Sequence, residues 1–174
     1  LPIDAKVGRY LAAYAGRITD EREIVGSSSG GLTTFVLQNL LSSGRVDGVI
    51  HVGRDATNPL FSYQVSRTLD ELKATRKSSY YSTTLSDVLS DALRPGEKYA
   101  IIGVPCFIKA ARLLAREDPV IGEAITTFVG ILCGHMKSHF FAESLGWQAG
   151  IEPGSLDSVD FRVKDPSARA NRYS

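Results

Sequence analysis

Residues 99–132, which read YAIIGVPCFIKAARLLAREDPVIGEAITTFVGIL, contain the clearest indication of the fold. Residues 99–103 and 125–132 are short, mostly apolar runs, which is typical of strands buried within a sheet. Between them the chain has helical spacing from Phe107 to Arg116, with apolar side chains at Ile108, Ala111, Leu114 and Ala115. Strands that alternate with helices predict an α/β fold with a largely parallel or mixed sheet flanked by helices.

Further elements are expected on both sides of this stretch. Strand-like patterns occur at residues 8–16, 46–52, 62–68 and 159–163, and helix-like patterns at residues 32–41, 69–74, 83–93 and 138–148. Residues 17–28 are predicted to form a loop. We expect one domain over residues 1–163, followed at residues 164–174 by a polar tail that is either loose or the stub of a further segment.

Composition narrows the class of protein. A compact chain of 174 residues buries roughly 70% of its unfolded surface, which is enough for a core without disulfides or metals. The net charge of +1 provides no broad field for nucleic acid or an anionic membrane, so neither is predicted as a partner. No apolar run approaches the roughly 20 residues of a membrane span. The two cysteines are read as free thiols, and we expect a cytoplasmic protein.

A serine- and glycine-rich turn precedes the first predicted helix. Residues 26–34 read GSSSGGLTT. Small residues in front of a helix leave backbone N–H groups free, and the helix dipole adds partial positive charge, so the turn suits a phosphate or another anion. The alternative is an ordinary helix start with Ser29 as the cap. The turn has neither the Gly-x-Gly-x-x-Gly pattern nor a P-loop ending, so a Rossmann dinucleotide site and an ATPase are not supported.

Each cysteine follows a predicted strand. Cys106 comes after Pro105 at a predicted helix start, where the helix dipole favours the thiolate. Cys133 ends the next strand, so parallel neighbouring strands would place both sulfurs along one edge of the sheet. The alternative is that each cysteine is a small buried apolar residue.

Histidines and a polar loop supply further candidates. His135 and His139 are spaced for one helical face behind Cys133 and could form part of a metal site, or could be solvent-facing or capping residues. His51 lies in a predicted strand and is interpreted as structural. Residues 77–82 read KSSYYS, which suits either a polar loop with half-buried tyrosines or a second phosphate or flavin contact.

Six segments in order resemble the β-subunit family of coenzyme F-420 hydrogenases and dehydrogenases. They are Ser29-Gly30-Gly31, the run from Gly44 to Val49, Ser78-Ser79-Tyr80, Gly103-Val104-Pro105-Cys106, Leu132-Cys133-Gly134 and Phe161-Arg162. The resemblance covers most of residues 7–162. It implies an α/β domain that binds a flavin, usually FAD, near an iron–sulfur cluster, and that relays electrons between a soluble carrier, deazaflavin F-420 or a similar molecule, and the cluster.

The resemblance also implies site residues. Ser29, Gly30 and Gly31 would approach the flavin diphosphate, and the residues expected around the same cofactor are Ser28, Thr33, Ser78, Tyr80, Ser82, Gly103 and Pro105. Cys106 and Cys133 would face the cofactor as catalytic residues or ligate an iron–sulfur cluster.

The chain departs from the family pattern at several positions. Val104 and Phe107 flank the first cysteine where the family often has Thr and Gln, and Ser79 stands where a lysine is common. A [4Fe–4S] cluster usually needs four cysteine thiolates, and this sequence has two. The other ligands would come from beyond either end of the sequence, from a redox partner subunit or from a fused ferredoxin domain; otherwise this member has lost the cluster.

Two functions of other classes stay open at this point. A thiol enzyme would use Cys106 as its nucleophile and would need a base, for which His135 is the candidate. A non-catalytic domain that only docks partners would hold no small molecule and would expose a large apolar patch.

Overall fold

The computed structural model describes residues 1–55, 60–165 and 167–168. Its strands are β1 (Ile3–Asp4), β2 (Gly8–Arg9), β3 (Gly48–Arg54), β4 (Phe61–Ser66), β5 (Tyr99–Gly103) and β6 (Ile125–Gly130). Its helices are α1 (Glu21–Val25), α2 (Leu32–Ser42), α3 (Leu69–Ala74), α4 (Ser86–Asp91), α5 (Pro105–Glu117), α6 (Pro119–Ala124) and α7 (His139–Gln148).

The main sheet has four strands in the order β4-β3-β5-β6. Strands β3, β5 and β6 run parallel, and β4 runs antiparallel to β3 at one edge. The stretch from residue 99 to residue 130 supplies β5, the predicted crossover helix α5, a second short helix α6 that the pattern did not predict, and β6, which ends at Gly130 and not at residue 132. The α/β class with a mixed sheet is confirmed.

Helices cover both faces of the sheet. Alternate residues of a strand point to opposite faces, so each strand contributes side chains to both layers of helices. Ile50, Tyr99 and Ile101 face one side and pack against apolar residues of α4, α5 and α6. Val49 and Ala100 face the other side and pack against Leu37 and Leu72, from α2 and α3 respectively. All five strand residues are fully buried, so the centre of the sheet is the core of the protein.

Two predicted strands are wrong. In the predicted strand 8–16, only Gly8 and Arg9 form a strand, which pairs with β1, while Leu11 and Tyr14 are 83% and 95% exposed. The Tyr10 N–H still donates to the Pro2 carbonyl at 3.1 Å, but residues 10–16 belong to no strand. Residues 159–163 are also not a strand, because Phe161 packs its ring against Phe61, Tyr80 and Phe141 instead of pairing its backbone with the sheet.

The predicted loop at residues 17–28 contains the short helix α1. The side chain of Asp20 accepts hydrogen bonds from the backbone N–H groups of Arg22 and Glu23, which satisfies donors that the first turn leaves unpaired. Within the described residues, no helix has the length and apolarity needed to cross a membrane. Residues 166 and 169–174 of the predicted tail lie outside the described residues.

A buried tyrosine organises the amino end of β5. The Tyr99 hydroxyl accepts hydrogen bonds from the Arg94 backbone N–H (2.9 Å) and from the Arg67 guanidinium (3.0 Å), and it donates to the Glu97 carboxylate. Arg67 also pairs with Glu97 at 3.1 Å. The network lies at the opposite end of β5 from Gly103 and ties β4, α4 and β5 together.

This network predicts a loss of stability in acid. The hydrogen bond from Tyr99 and the pairing with Arg67 hold the pKa of Glu97 below its ordinary value. Glu97 therefore stabilises the fold fully above its unfolded pKa, and this contribution is lost as the pH falls through its folded pKa. We expect the free energy of unfolding to fall less between about pH 6 and about pH 3 in Glu97→Gln than in wild type, by urea denaturation. Glu152→Gln, at an exposed residue outside the network, should show the same dependence of unfolding free energy on pH as wild type. The same pH dependence in all three proteins would contradict the expectation.

Candidate functional site

An open cleft of about 550 Å³ lies at the carboxyl ends of the parallel strands. Its floor is made by sheet residues, which are His51, Val52, Tyr63, Ile102 and Gly103. The volume is within the range of small-molecule and cofactor sites, and this edge of an open α/β sheet is where such ligands usually bind.

Three segments form the walls of the cleft. The first is the serine–glycine turn with the start of α2, residues 27–34, and the second is the loop that supplies residues 75–81 and 83. The third is the segment after β6, residues 131–137, and Arg162 adds to the lining from the segment that follows α7. The cleft is also lined by Gly16, Leu37, Leu72, Val104 and Phe107. The Ser28 hydroxyl accepts a hydrogen bond from the Ser78 backbone N–H at 2.8 Å, so the first two walls are joined.

The serine–glycine turn ends in a glycine that caps α2. The cap is Gly31, with φ of 75°, and no side chain caps the helix, so the alternative with Ser29 as the cap is wrong. A Cβ at residue 31 would lie 2.5 Å from the Ile18 Cδ1 atom. The backbone N–H groups of an uncapped first turn carry partial positive charge and attract anions. Gly31 thus lets the turn approach Ile18 closely and leaves the helix start open toward the cleft.

The charged side chains that line the cleft are basic. They are Arg76, Lys77, Lys137 and Arg162, and no aspartate or glutamate is among the described lining residues. Arg76 pairs with Glu23, and Lys77 pairs with Asp160. The charge of the lining favours an anionic ligand.

Lys77 has an unusual backbone. Its φ is 116°, a conformation that side-chain-bearing residues rarely adopt, and it is the one non-glycine residue with positive φ among the residues the structure describes. Such strain is typical of binding loops. Lys137 is placed differently, with its ammonium group 4.9 Å from the centre of the Phe141 ring.

Two titratable residues on the floor are neutral at pH 7. Burial, with a smaller contribution from Cys106, raises the pKa of Tyr63 to about 12. Burial lowers the pKa of His51, whose Nε2 atom lies 2.7 Å from the Ser66 hydroxyl. His51 is 5% exposed in β3. The floor therefore contains the imidazole of His51 and the phenol of Tyr63 in their uncharged forms.

Both cysteines are exposed, so the interpretation of either as a buried apolar residue is wrong. Cys133 lines the cleft. Cys106 is the second residue of α5, between the cleft-lining Val104 and Phe107, but is not itself part of the lining. Cys106 and Cys133 each come three residues after the end of a strand, and these strands, β5 and β6, are neighbours. The Ile131 N–H donates to the Gly103 carbonyl just past their paired ends.

The sequence left open whether His135 and His139 form part of a metal site behind Cys133, and the described residues do not form such a site. Helix α7 begins at His139, so His135 lies outside the helix and the two residues share no helical face. The His139 ring instead lies 4.0 Å from the Phe140 ring, measured between ring centres. Over the described part of the chain, no three His, Cys, Asp or Glu side chains are grouped so that they could hold a metal ion.

The structure brings most of the predicted site residues together. Those that line the cleft are Ser28, Ser29, Gly30, Gly31, Thr33, Ser78, Tyr80, Gly103 and Cys133. Ser82, Pro105 and Cys106 lie beside the lining without belonging to it. No sequence signal marked Arg76 and Lys137, which are isolated cations in polar segments, whereas Lys77 and Arg162 stand within segments that drew attention for other residues.

Comparison with known proteins gives two family matches. Residues 13–90 match the family of the N-terminal part of the coenzyme F420 hydrogenase/dehydrogenase beta subunit, and residues 96–172 match the family of the C-terminal part of the same beta subunit. Together the two matches cover nearly the whole chain.

Similar curated proteins and a similar solved structure come from methanogens. The chain is 30% identical over 118 residues to the F subunit of the F(420)H(2) dehydrogenase of Methanosarcina mazei, covering 68% of this chain and 33% of that protein. It is 41% identical over 153 residues to coenzyme F420-dependent sulfite reductase of Methanocaldococcus jannaschii, covering 79% of this chain and 24% of that protein. This chain thus spans a third or less of these relatives.

The solved structure is a chain of the F420-reducing [NiFe] hydrogenase complex from Methanosarcina barkeri. The likeness has a TM-score of 0.69 at 22% sequence identity, and it covers 83% of this chain and 52% of that chain. At this identity the likeness supports the fold.

Proposed function

The chain belongs to the family of coenzyme F420 hydrogenase and dehydrogenase β subunits, and from this premise we propose that it is an oxidoreductase subunit that binds FAD in the cleft. It relays electrons between a soluble carrier, deazaflavin F420 or a similar molecule, and an iron–sulfur centre. The observation that carries the proposal is the cleft itself, where an open helix start meets a lining whose charged side chains are all basic.

The residues of the cleft fit the two unlike parts of a flavin nucleotide. The N–H groups of the serine–glycine turn and the start of α2 suit the diphosphate, and Arg76, Lys77 and Arg162 add positive charge. The apolar side chains of Val52, Ile102 and Phe107 suit a planar ring, beside the uncharged Tyr63. A bound flavin supplies hydride transfer on one side and single-electron transfer on the other, while the protein supplies placement and electrostatics.

The cysteines fit an iron–sulfur centre in part. Two exposed thiols follow neighbouring parallel strands, and one of them lines the cleft. They supply two of the four thiolates that a [4Fe–4S] cluster usually needs. We propose that the remaining ligands, where a cluster is present, come from a redox partner subunit or a fused ferredoxin domain.

The thiol enzyme is the weaker alternative. His135 lines the cleft whereas Cys106 does not, so the described residues give no sign of the shared site that a nucleophile and its base require. Cys106→Ala separates the two functions, because a thiol enzyme loses all turnover whereas FAD binding in the cleft should persist.

Flavin binding is the direct test. The anaerobically purified protein should bind one FAD per chain, with a change in the visible flavin spectrum, and assays of flavin and iron should show which groups copurify. Titration with FAD gives the affinity, and deazaflavin F420 can then be added as electron donor. Absence of any FAD binding by folded protein would overturn the proposal.

Ser28 should contribute to this affinity. Ser28→Ala removes the acceptor for the Ser78 N–H and so separates two walls of the cleft. We expect the dissociation constant for FAD to rise about tenfold, as loss of a hydrogen bond of about 1.5 kcal/mol predicts. Ser42→Ala, at the far end of α2, is the matched control and should leave FAD binding unchanged. Equal affinities in both variants would contradict a role for the Ser28 link.

A further inference from the structure

Lys164 lies behind the serine–glycine turn and does not line the cleft. Its ammonium group donates hydrogen bonds to the backbone carbonyls of Ile24 (2.6 Å) and Ser29 (2.5 Å). The first carbonyl belongs to α1 and the second to the turn. One side chain therefore ties both to a segment that is 135 or more residues away in the sequence.

The hydrogen bond to Ser29 fixes the direction of a peptide group in the turn. In a trans peptide the C=O and the following N–H point in opposite directions. Because the Ser29 carbonyl points to Lys164, the N–H of Gly30 points away from Lys164. The Gly30 carbonyl is held in the same way by the Ile18 N–H at 3.0 Å, which fixes the N–H of Gly31. Gly30 and Gly31 both line the cleft, so their N–H groups are oriented by bonds made behind it.

The segment that carries Lys164 is itself anchored. Phe161 packs its ring 5.4 Å from Tyr80 and 6.0 Å from Phe141, measured between ring centres. Asp160 pairs with Lys77 in the neighbouring wall. These contacts fix the position of the backbone just before Lys164, so the Lys164 side chain donates its hydrogen bonds from an anchored segment.

The charges around Lys164 also indicate an anion. Burial and the nearby charges of Arg162 and Lys77 lower the pKa of Lys164. Cations that repel one another in this way are stabilised when an anion binds between them. Arg162 and Lys77 line the cleft, so a phosphate there would relieve the repulsion.

We propose that Lys164 is the positioning residue of the phosphate site: by holding the carbonyls of Ile24 and Ser29 it turns the N–H groups of the serine–glycine turn toward the ligand. The inference rests on the proposed flavin function. Lys164, a residue outside the lining, then makes the cleft select nucleotides that carry a diphosphate over the flavin ring system alone.

The test compares ligands that differ in phosphate. FAD, riboflavin and ADP are titrated into wild type, Lys164→Met and Lys164→Arg, with circular dichroism and thermal unfolding of each protein. We expect Lys164→Met to lose between about ten- and 100-fold in affinity for FAD and ADP, the range for lost hydrogen bonds to a charged group, while riboflavin binding is unchanged. Lys164→Arg keeps the charge and donors and should recover most of the affinity. Lys164→Gln, which still donates to one carbonyl, replaces the Met variant if the latter is unfolded.

The chain offers a matched control at the opposite end of the sheet. Lys98 also donates its ammonium to a backbone carbonyl, that of Glu123 at 2.8 Å, but lies next to the amino end of β5. Lys98→Met should leave all three affinities unchanged. An equal loss of riboflavin and FAD binding in Lys164→Met, or no loss of either, would overturn the positioning role alone. Wild-type protein that binds neither FAD nor ADP would overturn both proposals.

Discussion

Gly31→Val should abolish FAD binding in practical terms, with an affinity loss of roughly 100-fold or more. Gly31 has φ of 75°, which a β-branched residue scarcely adopts, at a cost of about 1–3 kcal/mol. Its Cβ would also meet Ile18 at 2.5 Å. The turn must therefore change its path, and this change would move the N–H groups at the start of α2 away from the proposed diphosphate site. Isothermal titration with FAD measures the effect.

Gly44→Val is the matched control for that variant. Gly44 follows the other end of the same helix with φ of 67°, and nothing lies within 4 Å of a Cβ built there. The substitution carries a similar backbone penalty in open space, away from the cleft. Gly44→Val should lose stability through the backbone penalty alone and Gly31→Val should lose more because of the contact with Ile18, but only Gly31→Val should lose FAD binding. Similar FAD affinities in the two variants would show that the turn does not hold the cofactor.

Tyr99→Ala should lower the free energy of unfolding by about 4 kcal/mol, the largest stability effect we expect of a single substitution. Tyr99 is the largest of the fully buried side chains, and it packs at the centre of the sheet. Its removal creates a cavity and leaves Arg67 and Glu97 without their shared hydroxyl. Chemical denaturation followed by circular dichroism gives the value.

Tyr99→Phe separates packing from hydrogen bonding at this position. It keeps the ring and removes the hydroxyl, so it should lower the free energy of unfolding by about 2 kcal/mol. Tyr14→Ala, at a residue that is 95% exposed, should stay within about 0.5 kcal/mol of wild type. A Phe variant as unstable as the Ala variant would mean that the hydroxyl network, and not the ring, dominates.

The sequence predicted elements well where one pattern governed them. The apolar run at residues 99–103 became β5, an inner strand that is buried on both faces, as a run that is apolar throughout requires. The run at residues 125–132 became the shorter β6, which lies at the edge of the four-stranded sheet and is buried only at Ile125, so its prediction as a buried strand is wrong. Residues 8–16 and 159–163 have similar local patterns and failed as strands. A strand needs a neighbour to pair with, and no local pattern shows whether one is present.

The site was predicted in the same uneven way. The serine–glycine turn and Cys133 follow from local chemistry, and both line the cleft. Arg76 and Lys137 line it as well, but an isolated basic residue in a polar segment looks the same whether it faces a ligand or solvent. The assignments of individual residues to the cofactor stay predictions until binding is measured.

The amino-acid sequence was enough to predict the α/β class, the family and the helix start that suits an anion, because each of these depends on short runs of residues whose patterns do not require knowledge of how distant segments pack. The side chains that surround that helix start are known from the folded structure alone. Ser28 meets Ser78, and Lys164 reaches Ser29 from 135 residues away. Such contacts are set by how the sheet and helices pack, and no spacing within a short window encodes them.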